Sequence, residues 1–356
     1  LRRFSEEIDV KRQTVLSAAV AAAMAGTLAL TAVVSVSADD EYVAPRTEWG
    51  HPDLRGVFNF SSNTPFERPA QYADREFLTP EEVIERDRRV AEAAAEGDGQ
   101  SSQGGVGGYN QFWVEGAPVD LNLRSSVIIY PENGRTPPRV PGAPIAFGGL
   151  GPDYDGERPV RVAVGGIGKD GPEDRGISER CLVGFNSVPP FTPSMYNNNV
   201  QLFQNETHFV IVNEMIGYPR IVPLDGRDHL PGHVTQWWGD SRGYWDGDTM
   251  VVETRNFNDK TQAFRGTGVG SDKTLTERFT RVSDTVVEYE FTVDAPNAFQ
   301  DKIVGVFPMF EEEGSILYEY ACHEGNYGMV NILQGQRVED GTWDYENHRA
   351  MRLDEL

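Results

Sequence analysis

The second half of the chain is a succession of short runs in which apolar and polar residues alternate, each closed by a tight turn. Val200–Gln204, His208–Val212 and Arg220–Leu224 have this form, and so do Leu275–Val282 and Val286–Val293, which flank Ser283-Asp284. Tyr244 to Thr254 reads as one hairpin, because Asp246-Gly247 supplies the positive φ angles of a type I′ turn. Ser315–His323 reads as a further strand. Alternation with period two marks strands that bury one face, and turns this short join only antiparallel neighbours. No strand–helix–strand alternation and no fixed-period repeat appears. The expected fold is therefore mainly β, an antiparallel meander closing into a barrel or folding as a sandwich.

The first half is less regular. Residues 39–78 are broken by Pro45, Gly50-His51-Pro52 and Thr64-Pro65-Phe66-Glu67-Arg68-Pro69. Thr79, Pro80 and Glu82 then spell a capping box with proline at the first helical position, so a helix is expected from about 80 to 95. A Gly/Ser/Gln loop follows to residue 108. Tyr109 to Trp113 restores aromatic mass, and Ser125–Tyr130 reads as a buried strand. Residues 137–176 are rich in Gly and Pro, with Val160–Val164 the one strand-like piece, and suggest a long loop or a lid. The reading divides the chain into a signal peptide (1–38), an irregular N-terminal segment (39–108) and an antiparallel β domain (109–356).

Lys11 and Arg12 precede an uncharged, mostly apolar run to Val34, and Val36-Ser37-Ala38 offers a cleavage site. This pattern predicts a secretory signal, hence a periplasmic or secreted protein without stable membrane insertion after cleavage; an uncleaved anchor is the alternative. Residues 39–356 carry 28 basic and 52 acidic side chains, a net charge of −24. Such a surface disfavours nucleic acid and anionic membranes as partners, since both need Lys/Arg patches. In an oxidising compartment the two cysteines, Cys181 and Cys322, are expected to pair. That bridge would close a loop of about 140 residues, with roughly 5 kcal/mol of chain-entropy stabilisation as an upper figure. Two free buried thiols, or a thiolate ligand or nucleophile, are the alternatives.

Certain phrases carry a resemblance: Gly50-His51-Pro52-Asp53-Leu54-Arg55-Gly56-Val57, Glu179-Arg180-Cys181-Leu182, Tyr196-Asn197-Asn198, Trp238 through Thr249, and Cys322 through Tyr327. The chain resembles a large family of exported bacterial proteins with no established common activity. The resemblance implies export and a shared fold, and no reaction. Members of that family carry His-Asp shortly before the arginine matching Arg220; here Gly217-Tyr218-Pro219 stands in that place, so no role for that histidine transfers.

The densest cluster of proton-moving side chains is Cys322-His323-Glu324 with Asn326 and Tyr327. A His–carboxylate couple is a natural general base because imidazole titrates near neutrality. His323 is the expected base or acid, with Glu324 or another carboxylate orienting it, and a histidine that merely ends a strand is the competing explanation. Arg180, Arg220, Arg242 and Tyr327 are candidates to stabilise developing negative charge. Tyr196 and Asn197 are candidates for orienting a polar group, though a structured loop needs such residues to satisfy its own backbone. Trp113, Trp237, Trp238 and Trp245 would wall a cavity. His229 and His233 are four apart, but Pro231 and Gly232 between them break the helix that would make the spacing a zinc site. Asp240-Ser241-Arg242 lacks the Gly-x-Ser-x-Gly elbow of a nucleophilic serine, and a buried Asp240–Arg242 pair is the expectation there. No dinucleotide fingerprint, phosphate loop or redox Cys-x-x-Cys is present, so neither cofactor nor metal is expected. The function that follows is a cofactor-independent acid–base enzyme (lyase, isomerase or hydrolase) acting on a small, mainly apolar molecule. A noncatalytic periplasmic binding protein and a metal-dependent hydrolase are the alternatives.

Overall fold

Ten strands form a single antiparallel sheet in the computed structural model, which describes residues 42–72, 74–101, 122–144 and 171–342. The strands are β1 (Gly56–Asn59), β2 (Ile128–Tyr130), β3 (Asn199–Gln204), β4 (His208–Asn213), β5 (Pro219–Pro223), β6 (Asp240–Asp246), β7 (Thr249–Arg255), β8 (Thr274–Ser283), β9 (Val286–Asp294) and β10 (Ile303–Glu311). Their order is β5-β4-β3-β1-β10-β9-β8-β7-β6, with β2 added beside β10. Nine strands of alternating direction leave the two edges, β5 and β6, running the same way. They share no ladder, but they come close. A methyl group added at Gly243 of β6 would lie 2.8 Å from Val222 and 2.7 Å from Leu224, so the seam closes by side-chain packing on a residue that has none. The result is a barrel closed but for this seam.

The alternation read from the sequence is the alternation of burial. On β9, Val287, Tyr289, Phe291 and Val293 point inward; on β8, Leu275, Glu277 and Phe279 do. With Phe58, Phe60, Phe191, Phe209 and Phe307 they fill one aromatic core. Each fully buried side chain of this size contributes about 1.5–3 kcal/mol.

Several local expectations are corrected. The β6–β7 turn consists of Gly247 and Asp248, one residue later than expected, and only Gly247 has a positive φ (60°); this is the pattern of a type II′ turn, not type I′. Ser315–His323 is not a strand: it runs outside the sheet, mostly exposed with Leu317, Tyr320 and Cys322 half-buried, and leads through a turn into helix α2 (Tyr327–Glu339). β1 and β10, both central, lie where no strand is expected. β1 is four residues long between Pro-rich stretches, and β10 contains Pro308, which argues against a central strand. The structure tolerates Pro308 because it falls between the part of β10 paired with β2 (Val304, Gly305) and the part paired with β1 (Phe310, Glu311).

Helix α1 (Pro80–Ser101) starts where expected. The Thr79 amide donates to the Glu82 carboxylate (2.9 Å) and the Glu82 amide to the Thr79 hydroxyl (3.3 Å), the reciprocal pair of a capping box. The Cys181–Cys322 disulfide is present, with Cα atoms 5.8 Å apart. Among the described residues no helix is long and apolar enough to cross a membrane. The expected signal peptide, Tyr109–Trp113, Val160–Val164 and most of the expected loop 137–176 (residues 145–170) lie outside the described residues.

Candidate functional site

At the end of the barrel where β5, β6 and β8 begin, four polar side chains meet in the core: Arg220 (β5), Lys273 just ahead of β8, Glu277 (β8) and Tyr289 (β9). None is more than 5% exposed. Glu277 occupies an inward position of an alternating strand, so period two alone commits its carboxylate to the interior. Its two oxygens are both used. Arg220 Nη2 donates to one at 2.6 Å and the Tyr289 hydroxyl to the other at 2.8 Å. Arg220 makes this contact across the seam, with two strands between β5 and β8 on the short way round.

A plug completes the site. Residues 183–191 are buried except for the half-buried Phe185; Val183 and Val188 pack with Ile177 and Trp238, while Pro189 and Phe191 reach this end of the barrel. The Phe191 ring packs on Phe60 (5.5 Å) and Tyr289 (5.3 Å). Its backbone N–H donates to the Tyr289 hydroxyl at 3.2 Å, and the carbonyl of Pro189 accepts from Lys273 Nζ at 2.9 Å. Lys273 Nζ also lies 4.0 Å from the centre of the Phe257 ring. The plug's own peptide groups thus occupy the polar cluster.

The electrostatics follow from enclosure. Burial pushes the Lys273 ammonium down to about 7; attraction to Glu277 opposes the fall and repulsion from Arg220 adds to it. Burial first, and then the Glu277 charge, raise the Tyr289 hydroxyl well above its usual range. Arg220 keeps two nitrogens, Nε and Nη1, enclosed and without a hydrogen-bond partner among the described residues. Each such donor costs about 1–3 kcal/mol when dry, and a bound acceptor would offset that cost.

A second constellation ties the β5–β6 connection to β6. Asp240 accepts from His229 Nδ1 (3.0 Å), from the Leu230 amide (2.9 Å) and from Arg242 Nη1 (2.8 Å). With Nδ1 donating, Nε2 of a neutral ring is left as an acceptor, and it is enclosed without a partner among the described residues. Arg242 is therefore held by Asp240, as the sequence suggests, and does not join the barrel cluster. Trp238 is buried beside Tyr218, with ring centres 5.2 Å apart, and Trp237 packs near it; Trp245 instead stacks on His51 at 4.7 Å.

The C-terminal cluster sits elsewhere. His323, Glu324 and Tyr327 are exposed, on the turn and first helical residue that follow the disulfide. An open cleft of about 340 Å³ lies beside them, lined by Ser178, Glu179, Tyr320, Ala321, Cys322, Gly325 and Asn326. Neither His323 nor Glu324 lines it. Asn326 caps α2 and donates to the Glu179 carbonyl at 2.7 Å, while Arg175 holds the Glu179 carboxylate. Arg180 is half-buried beside Cys181. The Tyr196 and Asn197 carbonyls accept from the Asn186 side chain, so both residues belong to a loop that satisfies its own backbone. His233 is exposed and does not join His229. Among the described residues no three His, Cys, Asp or Glu side chains converge as metal ligands.

Of the residues singled out from sequence, only Arg220 belongs to the enclosed cluster. Lys273, Glu277 and Tyr289 were missed, although the carboxylate in Leu275-x-Glu277-x-Phe279 is a charge set into an apolar alternation and could have been noticed. Comparison with family models, curated proteins and solved structures finds no match.

Proposed function

We propose that the protein is an exported receptor for a small, mainly apolar molecule carrying one anionic group, enclosed in the barrel with its charge on Arg220. The observation that carries this reading is the pair of Arg220 nitrogens that, among the described residues, have no hydrogen-bond partner; their guanidinium faces the Phe191 ring at 5.8 Å inside an aromatic core. The ligand enters when the plug withdraws and replaces the Phe191 ring. Its apolar body then takes the place of that ring between Phe60 and Tyr289, and its anion accepts the two free N–H groups. The disulfide at Cys181 anchors one side of the plug and supports the assignment to an oxidising compartment.

Titration with anilinonaphthalene sulfonate, an apolar anion, tests the reading by fluorescence. Binding is expected to weaken at least about tenfold, or about 1.4 kcal/mol, in Arg220→Gln/Glu277→Gln, which removes the guanidinium together with its carboxylate partner. Equal affinity in a folded double variant would reject it.

One observation favours an enzymatic reading, and it lies at the second constellation rather than at the barrel cluster. His229 on Asp240, with Nε2 free to accept a proton, has the arrangement of a general base and its orienting carboxylate. His229→Gln abolishes turnover under this reading and leaves binding of the sulfonate intact. Turnover that survives the substitution removes the assignment.

A further inference from the structure

Lys273 differs from the rest of the cluster in having no counter-ion of its own. Glu277 is committed to Arg220 and Tyr289 through both oxygens, so it acts on Lys273 only as a nearby charge; among the described residues the ammonium's hydrogen bond goes to the Pro189 carbonyl, and it faces the Phe257 ring. An ammonium enclosed in this way is expensive, and losing its proton is the least costly relief. A neutral amine in an apolar enclosure is a nucleophile at neutral pH. Anchoring the plug is the structural alternative, but the plug is also held at Phe191, through two ring contacts and an amide hydrogen bond. That role would be served by any donor and does not call for a lysine without a carboxylate.

We propose that Lys273 is a nucleophilic amine that forms an imine with an aldehyde or ketone held in the barrel. This rests on the receptor reading and sharpens it: a ligand that satisfies Arg220 and Lys273 together is an apolar oxo acid. The amine lone pair adds to the carbonyl carbon, a C–N bond forms, and the oxygen takes a proton to give the carbinolamine. The C–O bond then breaks, and the oxygen leaves as water with the two hydrogens that began on the amine. No oxidant or reductant is required. The Pro189 carbonyl, which holds Nζ in the closed state, is released as the plug withdraws.

Phenylpyruvate, an aromatic oxo acid, is the probe. The full chain is incubated with it and sodium cyanoborohydride at pH 7, and adducts are located by peptide mass mapping. The chain has five lysines, of which Lys260 and Lys302 are exposed and serve as internal references. An amine near 7 is about half neutral at pH 7, roughly a thousandfold more than an ordinary lysine, so labelling at Lys273 is expected to exceed the references at least about tenfold. Lys273→Arg should lose the adduct. Phe191→Ala, which opens the plug, should speed its formation. Labelling spread evenly over the three lysines overturns the proposal. So does an unlabelled Lys273 in both the wild type and Phe191→Ala while sulfonate binding still depends on Arg220; the receptor reading then stands alone. If neither adduct nor sulfonate binding is seen in either protein, both readings fall.

Discussion

The barrel end and the C-terminal turn carry similar side chains in opposite settings. At the turn, an imidazole, a carboxylate and a phenol lie within five residues of one another, from His323 to Tyr327, all exposed to water. At the barrel end an ammonium, a guanidinium, a carboxylate and a phenol come from positions up to 69 residues apart, Arg220 to Tyr289, and all are buried. Charges in water are screened, whereas enclosed charges act on one another at lower effective dielectric and resist being charged at all. Density along the chain therefore pointed to the turn, and enclosure points to the barrel.

The contrast is sharpest for the two carboxylates. Glu277→Ala leaves Arg220 buried without its partner and Tyr289 without its acceptor, and is expected to lower stability by about 3–5 kcal/mol. Glu324→Ala, on the exposed turn, should stay within about 0.5 kcal/mol. Urea unfolding of the two variants side by side decides it; similar losses would undo the distinction between the regions.

The disulfide joins the two regions, so Cys181→Ser/Cys322→Ser is expected to separate them. A loss of about 2–5 kcal/mol should appear in urea. The barrel's circular dichroism should persist, because its ladders do not involve residues 315–342. Collapse of the β signal would show instead that the plug depends on the bridge to hold the barrel together.

Lys273 gives a pH signature that an exposed side chain does not. Its folded-state value, about 7, lies below the ordinary lysine value of 10.5, so above pH 7 the unfolded chain binds the extra proton. The stability contribution of this residue is thus least at and below pH 7 and rises with pH, by at most about 1.4 kcal/mol per unit. Comparison of pH 7 with pH 9 keeps clear of tyrosine titration in the unfolded chain. Lys273→Met should flatten the slope; an unchanged slope would place the titrating group elsewhere.

The smallest effect is expected at His323. His323→Gln should change stability by less than about 0.5 kcal/mol and leave sulfonate binding unaltered. A lost signal there would restore the turn as a functional site.

The legible parts of this protein are those set by local rules. The capping box of α1 was readable from Thr79 and Glu82, because both partners lie within one turn. Strands β3 to β9 were readable because alternation and tight turns are properties of neighbouring residues. β1 and β10 were not, since a four-residue strand and one containing Pro308 owe their place to the strands around them. Ser315–His323 alternates convincingly and yet joins no strand among the described residues: a strand pattern says which side chains share a face, and a ladder still requires an open edge to receive it.

The same division holds for the site. With only two cysteines and an export-like N-terminus, the sequence by itself was enough to anticipate the Cys181–Cys322 bridge, and it put Arg220 among the binding candidates. Alternation also put Glu277 on one face of its strand with Leu275 and Phe279, and Tyr289 on one face of its own with Val287, Phe291 and Val293. Only the tertiary structure decided that these two faces are both the inside, that the seam brings Arg220 across to Glu277, and that residues 183–191 cap the cluster. Period two fixes faces within a strand, whereas contacts between strands remote in sequence depend on how the sheet curls and closes.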